Sequence, residues 1–294
     1  AAGVAEYLSL PQRFEETRKN AYHMGRGMIW SATAEKYLKV FEHARADHQE
    51  IPRRAFAAWT LESRPQDFPP LRLDHLERMT DRTGIFQHAV FNVPNFAEGY
   101  CTDDNARAYI LCNLLDELGG QPPSLRLDKL ATTYLAFLWN ALAPGTSRFR
   151  NFMSHEREWS PEEGSEDGHA RGLWAAGTGV GRSRNEGHRK LCGSILQRAL
   201  PLTENFTSPR AWAFTLLAIH EYLGRFSGDS VMNGTRHILT QKLVSAWKNC
   251  SSEKWQWFEP ILSYDNARLS HALILSGRWT RDAEVLGIGL SSLR

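Results

Sequence analysis

The sequence predicts an all-α protein built as an (α/α) toroid of helical hairpins, of which the chain contains only a part. From Leu71 onward, apolar residues recur at helical spacing and few segments show the alternation of a strand. Helix signals agree with this pattern, because Ser208 and Pro209 open one segment and Gly119 and Gly120 close another. Four related short sequence segments, each followed by a helix rich in small residues, predict the hairpin repeat.

The composition of the chain argues against several classes of protein. The chain has 294 residues, 42% of them hydrophobic, which is enough to bury one large core. Its formal net charge is only +2, so no excess of positive charge favours a nucleic acid or an anionic membrane as partner. No apolar run predicts a membrane span, and the first residues do not form a signal peptide. Together with four dispersed cysteines, which predict reduced thiols, these features indicate a cytoplasmic protein.

The first 70 residues differ from the rest of the chain. Residues 12–47 have apolar side chains at helical spacing, so segment 1–47 is expected to be the terminal helical segment of a preceding domain. Residues 48–70 contain four prolines and few periodic apolar residues, which is typical of a linker. We therefore place a domain boundary near residue 70 and assign residues 71–294 to the toroid.

A series of helices is predicted after this boundary. The expected bounds are 73–81, 103–118, 127–142, 168–178, 186–200, 208–224, 231–248, 265–277 and 279–293. The Gly-Thr-Gly-Val-Gly run at 177–181 resembles a nucleotide-binding loop, but it follows a helix rather than a strand. We therefore predict that this run is a loop that ends a helix, and that the chain needs no cofactor.

Related short sequence segments, which we call words, lie at the start of four of the predicted helices. They occupy residues 104–108, 168–173, 208–213 and 265–269, and each contains an arginine. The spacing of these arginines is irregular, which argues against an open solenoid of identical repeats. A closed ring of hairpins accounts for it better, because the inner helices of a ring need small residues to pack closely around an axis.

Loops at the N-terminal ends of the inner helices of a toroid converge on one mouth. The carboxylates that we predict as catalytic lie in these loops: Asp103, Asp104, Glu166, Asp167, Glu259 and Asp265. Paired carboxylates suit general acid and base catalysis at a glycosidic bond. A single aspartate before a helix is an ordinary N-cap, but two adjacent acidic pairs exceed what capping requires. The histidines and cysteines do not have metal-ligand spacing, so we predict no metal.

Other side chains near these loops are predicted to bind substrate. Amide, imidazole and guanidinium groups would orient the carboxylates, and aromatic rings would stack on the apolar faces of sugars. The predicted substrate-binding residues are His88, Tyr100, Asn105, Arg107, His169, Arg171, Trp257, Tyr264, Asn266 and Arg268. Trp257 and Tyr264 are the expected sugar platforms.

Five motifs along the chain are similar to those of one bacterial family. They are Thr-Gly-Ile-Phe-Gln-His-Ala at 83–89, Gly-Tyr-Cys-Thr-Asp-Asp-Asn-Ala-Arg-Ala at 99–108, Asn-Phe-Met-Ser at 151–154, Gly-Ser-Glu-Asp-Gly-His-Ala-Arg-Gly-Leu-Trp at 164–174 and Ser-Tyr-Asp-Asn-Ala-Arg-Leu at 263–269. From about residue 71 to its end, the chain resembles the six-hairpin-glycosidase-like domain found at the C-terminus of certain family-4 glycosyltransferases. The chain departs from the family at 157–161, where Arg-Glu-Trp-Ser-Pro replaces a more aromatic and basic run.

The resemblance implies a larger protein. Residues 18–45 are similar to the last helix of a family-4 glycosyltransferase domain, which implies that such a domain precedes the toroid in the same polypeptide. The chain does not begin with Met, and its last predicted helix has no C-terminal cap. We therefore expect further sequence at both ends, including more hairpins of the toroid.

Three functions remain open from the sequence. The first is a glycoside-hydrolase-like protein that binds an oligosaccharide or polysaccharide and processes it, with one carboxylate as acid and another as base or nucleophile. The second is a non-catalytic module that holds the acceptor glycan for the upstream glycosyltransferase. The third is a scaffold for protein partners, which predicts an exposed apolar groove instead of an acidic mouth.

Overall fold

Helix-forming sequence dominates the protein. The computed structural model describes residues 10–50, 71–119 and 127–293, without the side chains of 47–50. Helix accounts for 66% of the structure and strand for 6%, which confirms the all-α prediction. Contacts divide the chain into two units, Ala1–Leu71 and Arg72–Arg294, which are described separately.

The described part of the first unit consists of helix α1, Pro11–Gly25, and helix α2, Trp30–Glu50. The single helix predicted over 12–47 is therefore interrupted. Gly25 and Gly27 favour the break because glycine has weak helix propensity, and the Met28 N–H donates to the Gly25 carbonyl in the turn. Residues 51–70, which form most of the predicted linker, lie outside the described residues.

The second unit contains the site and most of the helices. Its helices are α3 Asp74–Arg78, α4 Thr102–Leu118, α5 Leu127–Ala141, α6 Glu166–Arg182, α7 Glu186–Ala199, α8 Pro209–Leu223, α9 Ser230–Cys250, α10 Ala267–Thr280 and α11 Ala283–Ser291. Its strands are β1 Ala89–Val90, β2 Val93–Pro94, β3 Tyr100–Cys101 and β4 Phe152–Met153, and its 3-10 helices are Phe96–Glu98 and Leu200–Asn205. Across the described residues, no helix is both long and apolar enough to cross a membrane.

The helices of the second unit form two rows. Helices α4, α6, α8 and α10 pack side by side in that order and form the first row. Each is followed by a helix that packs against it, so α5, α7, α9 and α11 form the second row. The four related sequence words lie at the starts of the first-row helices, so the sequence repeat corresponds to one repeated structural position.

The core lies where the two rows pack together. Large side chains from both rows are completely buried, among them Tyr109, Tyr134, Leu138, Leu196 and Ile219. Each buried side chain of this size contributes about 1.5–3 kcal/mol through its removal from water. The apolar spacing that predicted the helices therefore also specifies which of their faces meet.

Glycines allow α6 and α8 to approach closely. A Cβ atom on Gly177 would lie 2.3 Å from the carbonyl oxygen of Ala218, and one on Gly181 would lie 2.4 Å from that of Glu221. The run at 177–181 lies inside α6, so the predicted helix-ending loop is wrong. Glycine is a weak helix former, but here its missing side chain permits backbone contact between neighbouring helices.

A short antiparallel pair of strands positions the start of α4. Tyr100 lies opposite Met153 and Cys101 opposite Phe152 in the β3–β4 ladder. Gly99 has a φ of 60°, and a Cβ atom there would lie 2.2 Å from the Met153 carbonyl oxygen, so only glycine fits. The ladder therefore fixes the backbone directly before the acidic first turn of α4.

Candidate functional site

A cavity of about 290 Å³ lies where the N-terminal ends of α4 and α6 meet the loop before α10. Its walls are Gln87, Cys101, Asp103, Asp104, Asn151, Phe152, Ser165, Asp167, Gly168, Arg171 and Tyr264. We call it the carboxylate cavity, because three of the predicted catalytic acids line it. The structure thus brings residues from distant parts of the sequence into one concave site.

The aspartates of this cavity do not serve as the helix caps. The Cys101 thiol accepts a hydrogen bond from the Asp104 N–H at 3.3 Å, and the Ser165 hydroxyl accepts one from the Gly168 N–H at 3.0 Å. Asp103 and Asp104 lie instead in the first turn of α4, where the helix dipole favours a carboxylate. Capping therefore does not account for these carboxylates.

Arg171 connects three segments of the site. Its Nε lies 2.6 Å from Asp103 Oδ1, its Nη2 donates to Asp265, and its guanidinium lies 4.0 Å from the centre of the Phe214 ring. Arg107 binds the other oxygen of Asp103 at 2.6 Å. Burial raises the pKa of Asp103, although both arginines act in the opposite direction. Because each oxygen of Asp103 binds a guanidinium group, Asp103 holds Arg171 and Arg107 in place.

Asp104 and Asp167 accept their hydrogen bonds from uncharged donors. The Cys101 thiol donates to Asp104 at 2.9 Å, and burial raises the pKa of this thiol, which keeps its proton in place. The Ser208 hydroxyl donates to Asp167 at 2.5 Å, and the Tyr264 phenol donates to its other oxygen. Burial also raises the pKa of the Tyr264 phenol. The ion pair of Asp104 with Arg107 Nη1 is long, at 3.9 Å, and Asp167 has no ion pair among the described residues, so these two aspartates are the carboxylates of the cavity outside close ion pairs.

Arg210 positions the loop that carries Tyr264, although the sequence analysis did not select it as a site residue. The buried guanidinium lies 2.7 Å from Glu259 and donates to the Tyr264 carbonyl at 2.5 Å and to Asn266 Oδ1 at 3.0 Å. The signal was present in the sequence, because Arg210 is the arginine of the word at 208–213. Glu259 and Asn266 thus act on the site through Arg210.

Two other predicted site residues hold loops together. Glu166 accepts hydrogen bonds from the N–H groups of Thr207 and Ser208, at 2.8 and 2.7 Å, at the start of α8. Asn105 is completely buried; it accepts from the Ile85 N–H at 3.1 Å and donates to the Cys101 carbonyl at 2.8 Å. Neither side chain lines the carboxylate cavity.

The aromatic residues predicted to bind substrate differ in how far their side chains are buried. Tyr100 is completely buried, donates to Asp81 at 2.7 Å and stacks on Phe86, so its ring belongs to the core. Trp257 is only 7% exposed and does not line the carboxylate cavity. Tyr264 is 47% exposed and does line it, as the platform prediction requires. Exposed His88 lies outside the cavity walls.

Six of the cavity walls were not selected from the sequence: Gln87, Cys101, Asn151, Phe152, Ser165 and Gly168. Phe152 is 46% exposed and lines the cavity, and so does Gln87. Both lie in motifs at 83–89 and 151–154 that support the family resemblance, but neither residue type carries a chemical signal of its own. Only the packing of β4 and of the segment before β1 brings them to the aspartates.

Asp265, Arg107 and Arg268 line a second cavity next to the first. The two cavities have Arg171 and Tyr264 as common walls. Among the residues described, no three or more His, Cys, Asp and Glu side chains are grouped so that they could hold a metal ion.

His169 is a buried structural residue. Its Nδ1 accepts from the Phe149 N–H at 3.2 Å, and its Nε2–H donates to the Ala199 carbonyl at 3.0 Å. Burial lowers the pKa of the imidazole to about 4. The ring therefore supports α6 from within and does not face a ligand.

The buried His169 is expected to make the protein less stable in acid. The unfolded chain binds a proton near pH 6.5 and the folded protein only near pH 4, so stability falls as the pH decreases through this window. At pH 5 the loss amounts to about 2 kcal/mol relative to pH 7.5. Urea unfolding of the wild type and of His169→Gln at both pH values measures it. An equal loss in the variant would contradict the assignment.

Comparisons with known proteins do not identify the chain. No protein-family model, curated protein or solved structure matches it. The geometry of the carboxylate cavity and the five motifs of the sequence are therefore the observations that bear on function.

Proposed function

We propose that the second unit binds an oligosaccharide or polysaccharide in the carboxylate cavity and cleaves a glycosidic bond there. One observation carries the proposal: Asp104 and Asp167 line the same cavity as two half-exposed aromatic side chains, Phe152 and Tyr264. Aromatic rings bind the apolar faces of sugars, and a pair of carboxyl groups supplies the acid and the base that glycoside cleavage needs.

Asp104 and Asp167 share the chemistry in this proposal. One carboxyl group protonates the oxygen of the leaving sugar, while the other removes a proton from the attacking water or attacks the anomeric carbon itself. The hydroxyl groups of Ser208 and Tyr264 orient Asp167, and the Cys101 thiol orients Asp104. Asp103 and Arg171 hold the starts of α4 and α6 together around them.

The two-row arrangement supports placing this unit among the (α/α) toroids. In a ring of hairpins, the N-terminal ends of α4, α6, α8 and α10 would face one mouth. The five motifs support a relation to the six-hairpin-glycosidase-like domains of bacterial family-4 glycosyltransferases. A glycosyltransferase domain would then belong to the same polypeptide.

Replacement of either central aspartate tests the proposed reaction. Asp104→Asn and Asp167→Asn are each expected to lower the rate of glycan cleavage about 10²–10⁴-fold, because each removes an acid or a base. The assay measures new reducing ends released from a panel of polysaccharides. Glu186→Gln is the control, since Glu186 is exposed and its one ion pair among the described residues is with Lys190 on α7. Full activity in both aspartate variants would refute the proposed roles.

A non-catalytic acceptor-binding module is the second candidate. It is favoured by the ion pairs that occupy Asp103, Glu259 and Asp265, which leave few acidic groups free for chemistry. A binding module would retain glycan in equilibrium dialysis and release no reducing ends. The Asp104→Asn variant would then bind the same glycan as the wild type without any change in turnover.

A further inference from the structure

The second cavity has a volume of about 500 Å³ and adjoins the carboxylate cavity at Arg171 and Tyr264. Its other walls include two further arginines, Arg107 and Arg268, and the ring of Trp174. We call it the arginine cavity. Four of its walls are predicted substrate-binding residues, but neither the motifs nor the proposed cleavage specifies which chemical group this cavity binds.

The two cavities differ in the charged side chains of their walls. Three aspartates and one arginine line the carboxylate cavity, whereas three arginines and one aspartate line the arginine cavity. Close ion pairs neutralise two of these arginines, because Arg107 pairs with Asp103 and Arg171 pairs with Asp103 and Asp265. Arg268 has only the longer contact of 3.5 Å with Asp265 among the described residues. Because guanidinium groups stay protonated at any physiological pH, the positive charge of Arg268 is permanent.

Arg268 is the arginine that is most available to a ligand. Its side chain is 38% exposed, and its Nε lies 3.5 Å from Asp265 Oδ1, which is a long contact. Its guanidinium lies 4.8 Å from the centre of the Trp174 ring, which holds it in place. Within the described part of the chain, no hydrogen bond occupies its Nη1 or Nη2. The donors are therefore oriented and unused.

The arginine cavity also has an apolar wall. Ile110, Leu111 and Leu114 lie on one face of α4 beside the exposed guanidinium of Arg107. Together with Trp174 they offer a surface on which the apolar face of a sugar ring can pack. The cavity thus combines contacts for a sugar ring with donors for an oxyanion.

We propose that the arginine cavity binds an anionic sugar residue, a uronate or a phosphorylated sugar, next to the residue whose bond is cleaved in the carboxylate cavity. This inference rests on the proposed function and specifies its substrate class. Planar guanidinium donors form strong charge-assisted hydrogen bonds with carboxylate and phosphate oxygens. The aspartates of the carboxylate cavity repel the same anion, so the charge sets the direction in which the glycan binds.

Paired oligosaccharides test the inference. The probes are tetrasaccharides of galacturonate, glucuronate and mannuronate, each with its carboxyl-reduced neutral counterpart, and a 6-phosphorylated mannose oligosaccharide. Isothermal titration calorimetry on the intact chain is expected to show at least one anionic probe bound about tenfold more tightly than its neutral counterpart. Arg268→Met is expected to remove that preference. Arg278→Met, at the other end of α10, is the control and keeps it.

The outcomes separate the inference from the proposed function. Binding of a uronate alone or of the phosphorylated probe alone identifies which oxyanion the cavity takes. Equal affinity for charged and neutral probes, or a preference that survives in Arg268→Met, overturns the inference while glycan binding itself stands. If no oligosaccharide of either kind binds, both the inference and the proposed function are overturned.

Discussion

Replacement of Gly177 by alanine is expected to lower the free energy of unfolding by about 3 kcal/mol. The added Cβ atom would lie 2.3 Å from the carbonyl oxygen and 2.6 Å from the Cα of Ala218, and both are backbone atoms of α8. Backbone in the middle of a helix cannot rotate away as a flexible side chain can. The helix α8 must therefore move as a whole, which loosens the core on both sides of it.

Replacement of a second helical glycine, Gly193, is expected to change the free energy of unfolding in the opposite direction. Gly193 lies inside α7, and a Cβ atom there would meet nothing within 4 Å. Gly193→Ala is therefore expected to raise the free energy of unfolding by about 0.5–1 kcal/mol, because alanine has the higher helix propensity. Urea denaturation followed by circular dichroism measures both variants. Stabilisation by Gly177→Ala would show that α6 and α8 are not in backbone contact.

Replacement of Arg171 by methionine is also expected to lower the free energy of unfolding strongly. The change keeps much of the apolar contact with Phe214 but removes the guanidinium that pairs with Asp103 and Asp265. Breaking a buried ion pair by removing one partner costs about 3–5 kcal/mol. We expect about 3 kcal/mol here, because water reaches part of both carboxylates and weakens the interaction.

Two further variants identify the cause of this loss. Arg107→Met also removes a partner of Asp103, but the Arg107 side chain is half exposed, so a loss below about 1 kcal/mol is expected. Adding Asp103→Asn and Asp265→Asn to Arg171→Met removes the unpaired charges, so part of the lost stability is expected to return. No recovery in the triple variant would show that Arg171 acts by packing and not by charge.

Much of the helical framework was predictable because its signals are local. Ser208 and Pro209 predicted the start of α8, and the Ser208 hydroxyl indeed accepts from the Ala211 N–H at 3.3 Å. The repeated words predicted that distant helices are equivalent, and these helices form the first row. The break after Gly25 was missed, because the apolar spacing continues across it while the backbone turns.

The candidate site was predictable in part. Residue types and their position before helices were enough to select the acidic loops, including Asp104 and Asp167. They could not show that Trp257 is buried or that Phe152 lines the cavity, since burial depends on what packs from elsewhere in the chain. Nor could they show which carboxylates are held in close ion pairs, because partners such as Arg171 and Asp103 are 68 residues apart in the sequence.

By itself, the sequence determined most of the helices, the Ser208 cap and the acidic loops at the starts of first-row helices, because these depend on neighbours within a few residues. Tertiary structure alone decided which aspartates remain outside close ion pairs and which arginines face the second cavity. It also decided that the glycines of α6 belong to a helix contact. The physical reason is the same in each case: ion pairing, burial and close backbone approach depend on the three-dimensional arrangement of segments far apart in the chain.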